Sequence, residues 1–257
     1  MIAAVTSWRG VGTSTTALLL AHAVAEQGPA WFIEADPAGG VLSGRVHLAP
    51  HALGGLERVA FPVDASSADV LLQDAAHSVG GLRIVAAPTD PFRAHACHLP
   101  RLPWQPALRS LDGDVVVDAG RLRAGGVATS LLLLADVVVV VTSPEVCAAV
   151  GTAEWIAAGG RVSPDDDGLG DARLTVVAVD QPTGIAFGRS ALEAEFGARW
   201  GGWLPWEPPT VDLVHRGASL DDRRLRRSAL VPAVRHLAGS IFSERADVGA
   251  APVAEVC

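Results

Sequence analysis

The sequence predicts one α/β domain: a single doubly wound, mainly parallel sheet with helices on both faces. Three observations predict it. Short apolar runs rich in β-branched residues alternate along the chain with longer stretches of helical periodicity. Several of those runs are apolar without alternation, as expected of parallel strands covered on both faces. A chain of 257 residues, 49% of them hydrophobic, is long enough to bury such a sheet.

In chain order, the strand "IAAVT" (2–6) leads through "SWRGVGTSTT" into a helix over 14–27. "WFIEA" (31–35) is the second strand, and the following stretch to residue 82 offers only short helices around "GGLERVA" and "ADVLLQDAA". Strands then fall at 83–87, 114–118, 137–141, 174–179 and 202–204. Helices fall between and after them at 92–99, 127–135, 145–158, 185–196 and 223–242. The run "VATSLLLLADVVVVVT" (127–142) is too short to span a bilayer comfortably and carries Asp136, so it reads as a helix end followed by a buried strand. "SPDDDGLGD" (163–171) is an acidic surface connection. Periodicity is lost after 242, which predicts a domain over 1–242 and a flexible tail over 243–257.

Charge narrows the function classes. A net charge of −8 and a pI near 5.4 argue against a general electrostatic grip on nucleic acid or anionic lipid. The segment 221–242 resembles a basic amphipathic helix that could touch anionic lipid, but Leu225, Ala229, Val234, Leu237 and Ile241 suit a closing helix packed on the sheet, and Pro232 would kink any continuous interfacial helix. Cys97, Cys147 and Cys257 show no paired spacing, and "MIAAVTSWRG" carries no secretory signal, so the expected location is cytoplasmic. "HACH" (95–98) lacks the further ligands a zinc site needs. The chain has no lysine: all 20 basic residues are arginine.

The segment between the first strand and helix has the context of a phosphate-binding loop. Such a loop needs a strand, a glycine turn whose backbone N–H groups cradle phosphates, and a helix N-terminus facing the anion. Gly10 and Gly12 supply the turn and Ser14 opens the helix. Against G-x-x-x-x-G-K-[ST], Ser7 falls on the first glycine, Thr13 on the lysine and Ser14 on the magnesium-binding hydroxyl. The competing reading is a tight strand-to-helix turn with a Ser/Thr cap. Two strand ends add to the first reading. "FIEADPAGG" (32–40) delivers two carboxylates, and "DVVVDAGRL" (114–122) delivers Asp118, at the edge where open α/β sheets bind ligands. Acidic residues there hold Mg²⁺ or orient an attacking water.

Taken in order, "RGVGTSTTALLLAHAVAE", "WFIEADPAGG", "DVVVDAGRL", "LLADVVVVVTSPE" and "LPWEP" resemble segments of the ParA/MinD family of P-loop ATPases, over roughly residues 1–240. The resemblance implies a nucleotide-dependent dimerising switch tied to partitioning, septum placement or localisation, with ATP (GTP not excluded) and Mg²⁺ as ligands, a protein partner and a homodimer. It places the phosphate loop on Arg9, Gly10, Val11, Gly12, Thr13, Ser14 and Thr15. It makes Ser14 and Asp118 the Mg²⁺ ligands and sets Asp36 near the γ-phosphate. Asp180 and Pro205 would lie at the base. The chain departs from the pattern twice: Thr13 replaces the loop lysine, and Trp8 replaces the lysine that reaches across a dimer. Arg9 is expected to be the only cation nearby. Nucleotide binding is therefore expected to be weakened and hydrolysis near background. The alternative is a scaffold that keeps the fold and binds no nucleotide.

Overall fold

The computed structural model describes residues 1–46, 48, 54–63, 66–100, 102–123, 126–161, 168–169 and 174–243. Most of the acidic connection at 163–171 and the tail beyond Ser243, with Cys257, lie outside the described residues.

Among these residues one sheet forms from β1 (Ile2–Ser7), β2 (Ala30–Glu34), β3 (His77–Val79), β4 (Leu82–Val85), β5 (Asp114–Arg121), β6 (Val137–Thr142), β7 (Leu174–Asp180) and β8 (Trp200–Pro205). Their spatial order is β3-β4-β2-β5-β1-β6-β7-β8, parallel throughout except for the antiparallel β3–β4 pair. β3 is not among the expected strands. It forms because Gly80 and Gly81 both take positive φ, +53° and +91°, as a tight two-residue hairpin requires.

Helices α1 (Thr13–Ala25), α9 (Pro208–His215) and α10 (Leu230–Phe242) cover one face. The other is covered by α2 (Gly55–Ala60), α3 (Ala68–Ala75), α5 (Trp104–Ala107), α6 (Thr129–Leu134), α7 (Val146–Ala157) and α8 (Arg189–Phe196), with α4 (Pro91–Ala96) leading to the buried Cys97. Successive strand residues enter opposite cores: Val138 and Val140 one, Val139 and Val141 the other. That two-sided burial explains the unbroken valine runs.

Two elements differ from expectation. α10 begins at Leu230, not 223, so Pro232 falls in its first turn, where its missing N–H breaks no intrahelical bond. Its apolar face, Val231, Val234, Leu237 and Ile241, is buried on the body, and Arg235 holds Glu26 of α1 through two bonds of 2.7 Å. α9 was not expected at all; Pro208 and Pro209 start it rather than prevent it. Among the described residues no helix is long and apolar enough to cross a membrane.

Candidate nucleotide site

The candidate site lies at the carboxyl ends of β1, β2, β5 and β7. Ser7 ends β1, and Thr13 Oγ1 donates to its hydroxyl at 2.6 Å, closing the neck of the loop. Thr13 is buried, so the side chain in the lysine's place faces the strand end. Between them Val11 N–H donates to the Arg9 carbonyl at 2.6 Å, and Gly12 takes φ +95°. No side chain caps α1, and its first turn bond runs from Thr16 N–H to the Gly12 carbonyl. The N–H groups of Thr13, Ser14 and Thr15 are thereby left for an outside acceptor, at the positive end of a 13-residue helix.

Asp118 is fully buried and stands level with Val5 of β1 and Glu34 of β2. Its Oδ1 accepts from Gly120 N–H at 3.1 Å, whereas Oδ2 is buried without a hydrogen-bond partner. Burial pushes its pKa up to about 7. The nearby Ser14 hydroxyl pulls it down without completing a hydrogen bond to Oδ2, and Asp36 and Glu34 push it further up. A buried carboxylate oxygen with no donor has the chemistry to take a hard cation or its water. Mg²⁺ needs only one or two such groups beside phosphate oxygens, which fits a site with no cluster of three His, Cys, Asp or Glu among the described residues.

The two carboxylates after β2 do different work. Glu34 is buried and accepts from Val41 N–H (2.6 Å), Leu42 N–H (2.9 Å) and Ala87 N–H (3.0 Å), pinning the loop that follows. Burial raises its pKa, and those three N–H groups oppose the rise. Gly40 is required because a Cβ there would stand 2.6 Å from Glu34 Oε2 and 2.7 Å from the Ala87 carbonyl. Asp36 accepts from Ala38 N–H at 2.8 Å and faces a cavity of about 170 Å³ shared with Thr6, Arg121 and Arg123.

A second cavity, of about 340 Å³, opens directly from Gly10, Gly12 and Thr15. Val179, Leu204, Pro205 and Trp206 wall it, and its polar groups include Gln181 and His215 together with the carboxylates of Glu207 and Asp212. Burial lowers the His215 pKa to about 4, helped by Arg45, and its Nε2 stands 3.4 Å from Thr15 Oγ1. Glu207 fixes the outer wall by accepting from Thr210 Oγ1, Ser228 Oγ and Ala229 N–H at 2.6–2.8 Å.

The structure brings together Gly10, Val11, Gly12, Ser14, Thr15, Asp36, Asp118 and Pro205. Two expectations change, and Trp8 finds a place the sequence did not indicate. Asp180 is ion-paired with Arg189 and is not in the cavity wall; Gln181, one residue on, is. Arg9 is not the only cation: Arg121 Cδ would lie 3.7 Å from a Cβ on Gly10. Trp8 is packed on α7, where a Cβ at Gly151 would stand 2.3 Å from its ring. Arg121, Gln181, Trp206 and His215 line these two cavities and were not singled out as such in the sequence, since only tertiary placement brings them there.

No protein-family model matches the chain, and no curated protein matches it. Solved structures do. The chain is similar to the ParA family ATPase from Chlorobium tepidum TLS, with TM-score 0.69 and 14% identity over 92% of this chain and 96% of that one. It is similar to the septum site-determining protein MinD complexed with Mg-ADP from Pyrococcus horikoshii OT3, with TM-score 0.64 and 18% identity over 98% and 99%. The MinC:MinD cell division protein complex of Aquifex aeolicus matches with TM-score 0.58 and 17% identity over 100% and 99%.

Proposed function

We propose that this chain, which has the fold of the MinD and ParA-family ATPases, is a cytoplasmic nucleotide-binding switch with weak or lost ATPase activity that acts through a protein partner. One observation carries the reading: the apolar 340 Å³ cavity opens onto the Gly10–Gly12 turn, and the unpartnered Asp118 Oδ2 lies beside Ser14. A base fits the cavity against Pro205, with Gln181 as its hydrogen-bonding group. The phosphates fit the free N–H groups of Thr13, Ser14 and Thr15 at the glycine turn. Ser14 and Asp118 would hold Mg²⁺, which when bound neutralises phosphate charge. Asp36 would orient a water.

Weak turnover follows from the side chains present. A charge-assisted hydrogen bond is about twice as strong as a neutral one, and Thr13 supplies neither charge nor a free hydroxyl. Backbone donors and the helix end serve the ground state. The lost lysine serves charge that develops later, so hydrolysis suffers before binding. The solved relatives named MinD with Mg-ADP and MinC:MinD support ATP with Mg²⁺ and a partner; homodimerisation is part of the same proposal.

A second reading, a scaffold that binds no nucleotide, draws on Thr13 being bonded to Ser7 and Trp8 being packed on Gly151. Calorimetry with Mg-ATP and Mg-GTP beside a phosphate-release assay separates the two. The switch reading expects binding by wild type, weakened about tenfold or more in Ser14→Ala, and release near background. Absence of binding by wild type transfers the case to the scaffold.

A further inference from the structure

β5 runs three residues past Asp118, and its pairing with β1 changes there. Val5 is level with Asp118 but Ser7 is level with Arg121, so three steps on β5 match two on β1. The extra residue is absorbed at Gly120, with φ +66°. Thr6 Oγ1 donates to the Gly120 carbonyl at 2.9 Å and Leu122 N–H donates to the Ser7 carbonyl at 2.8 Å, so the irregularity is held on both sides. A bulge turns the next side chain to a new direction. Here it carries Arg121 against Gly10 and into the wall of the cavity that Asp36 faces.

Arg121 is exposed and forms no ion pair among the described residues; Arg123, in the wall of the same cavity, has none either, but of the two only Arg121 stands against Gly10. Arg9 differs from Arg121 in position: it lies within reach of Glu145, whose carboxyl is held below the usual range chiefly by the Cys147 and Ala148 N–H groups and last by the Arg9 charge. An unneutralised guanidinium beside a phosphate loop has a planar fork matched to two phosphate oxygens. It also reaches the loop from the strand side, whereas Thr13 faces the strand end.

We propose that Arg121 is the positive charge of the phosphate site, reaching a polyphosphate on the loop in place of a lysine at position 13. The inference rests on the nucleotide reading and adds the residue that makes a lysine-free loop able to hold a polyanion. Because the guanidinium comes from β5, next to Asp118 and Asp36, it bears on the end of the polyphosphate that lies over those carboxylates. Arg9 stays on the α7 side.

The test is calorimetry of the full chain with Mg-ATP and, separately, sodium tripolyphosphate, at low and moderate salt. Wild type, Arg121→Ala, Arg121→Lys and Arg9→Ala are compared. Arg121→Ala is expected to weaken both ligands by about 10- to 100-fold and to flatten the salt dependence. Arg121→Lys should recover part of the affinity, and Arg9→Ala should lose less than Arg121→Ala. Thermal unfolding of Arg121→Ala should match wild type, since the side chain is exposed and unpaired. Wild-type affinity in Arg121→Ala, or a larger loss in Arg9→Ala, overturns the proposal and leaves the nucleotide reading standing. Tripolyphosphate binding that depends on Arg121, without tighter binding of Mg-ATP, supports Arg121 and removes the base cavity from the reading. Binding of neither ligand by wild type overturns both.

Discussion

The carboxyl group of Asp36 rests on the Cα of Gly120: a Cβ there would stand 2.3 Å from Asp36 Cγ and 2.4 Å from its Oδ1. The β2 loop and the β5 bulge therefore hold each other in place. Gly120→Ala collides with that carboxyl and also puts an alanine at φ +66°. It should lower unfolding free energy by roughly 1–3 kcal/mol and displace Asp36, so that any wild-type phosphate release falls with it. Urea unfolding of the variant checks the first effect; a midpoint equal to wild type would refute the contact.

Trp8 and Gly151 form a second such pair, and here the sign of a substitution should invert. A helix-interior glycine costs about 1 kcal/mol relative to alanine, so Gly151→Ala alone would be expected to stabilise α7. With Trp8 in place, the new Cβ meets the indole at 2.3 Å, and the change should destabilise by about 1–3 kcal/mol. In a Trp8→Ala background Gly151→Ala should instead stabilise. A double-mutant cycle by chemical unfolding measures this, and the same sign in both backgrounds would count against the packing described.

Buried histidines should cost the fold stability below about pH 6.5, against the opposite contribution of Asp118 and Glu34, whose raised pKa values favour the folded state as pH falls. Burial lowers His22, His98 and His215 to about 4. Between about 6.5, the ordinary value, and 4 the unfolded chain holds more protons than the folded one, so stability falls as pH falls. For His22, buried in α1, the loss by pH ~4.5 is about 2 kcal/mol. His22→Gln should flatten the slope of unfolding free energy against pH over that window. An unchanged slope would place His22 in water.

At the base end, neighbouring residues should behave differently. Gln181→Ala is expected to weaken Mg-ATP binding by about tenfold through one lost hydrogen bond, with tripolyphosphate binding unaffected. Asp180→Ala removes an exposed pair with Arg189 and should change stability by no more than about 1 kcal/mol. Equal losses of Mg-ATP affinity in both variants would mean that the cavity wall is wrongly drawn.

The interior of the sheet was readable because Val115–Val117 and Val138–Val141 are apolar on both faces, and only a strand buried on both sides has that composition. Edges and ends were less readable. β3 rests on the positive φ of Gly80 and Gly81, and α9 begins with two prolines that in sequence look like a break. That Ser14, Asp36 and Asp118 meet at one sheet edge was legible because parallel strand ends converge there. Arg121 was hidden by a bulge, since counting along "DAGR" assumes a regular strand. Gln181 and Asp180 exchanged places for a similar reason: which one faces a cavity depends on where β7 ends, and Arg189, nine residues on, decides which of the two is neutralised.

Glu207 gives the cavity wall a property that its contacts do not show individually. Its carboxylate joins the start of α9 to the start of α10, and Arg235 on α10 is clamped to Glu26 at the far end of α1. The lid of the base cavity, the closing helix and the helix behind the glycine turn thus form one circuit. Trp206, next to Glu207 in the chain, is therefore expected to move with the starts of α9 and α10. Amide hydrogens of 204–215 and 230–242 should then exchange with solvent at a common rate, as a single cooperative unit, so that entry of a ligand is timed by the lifting of a helix rather than by the flicker of a loop.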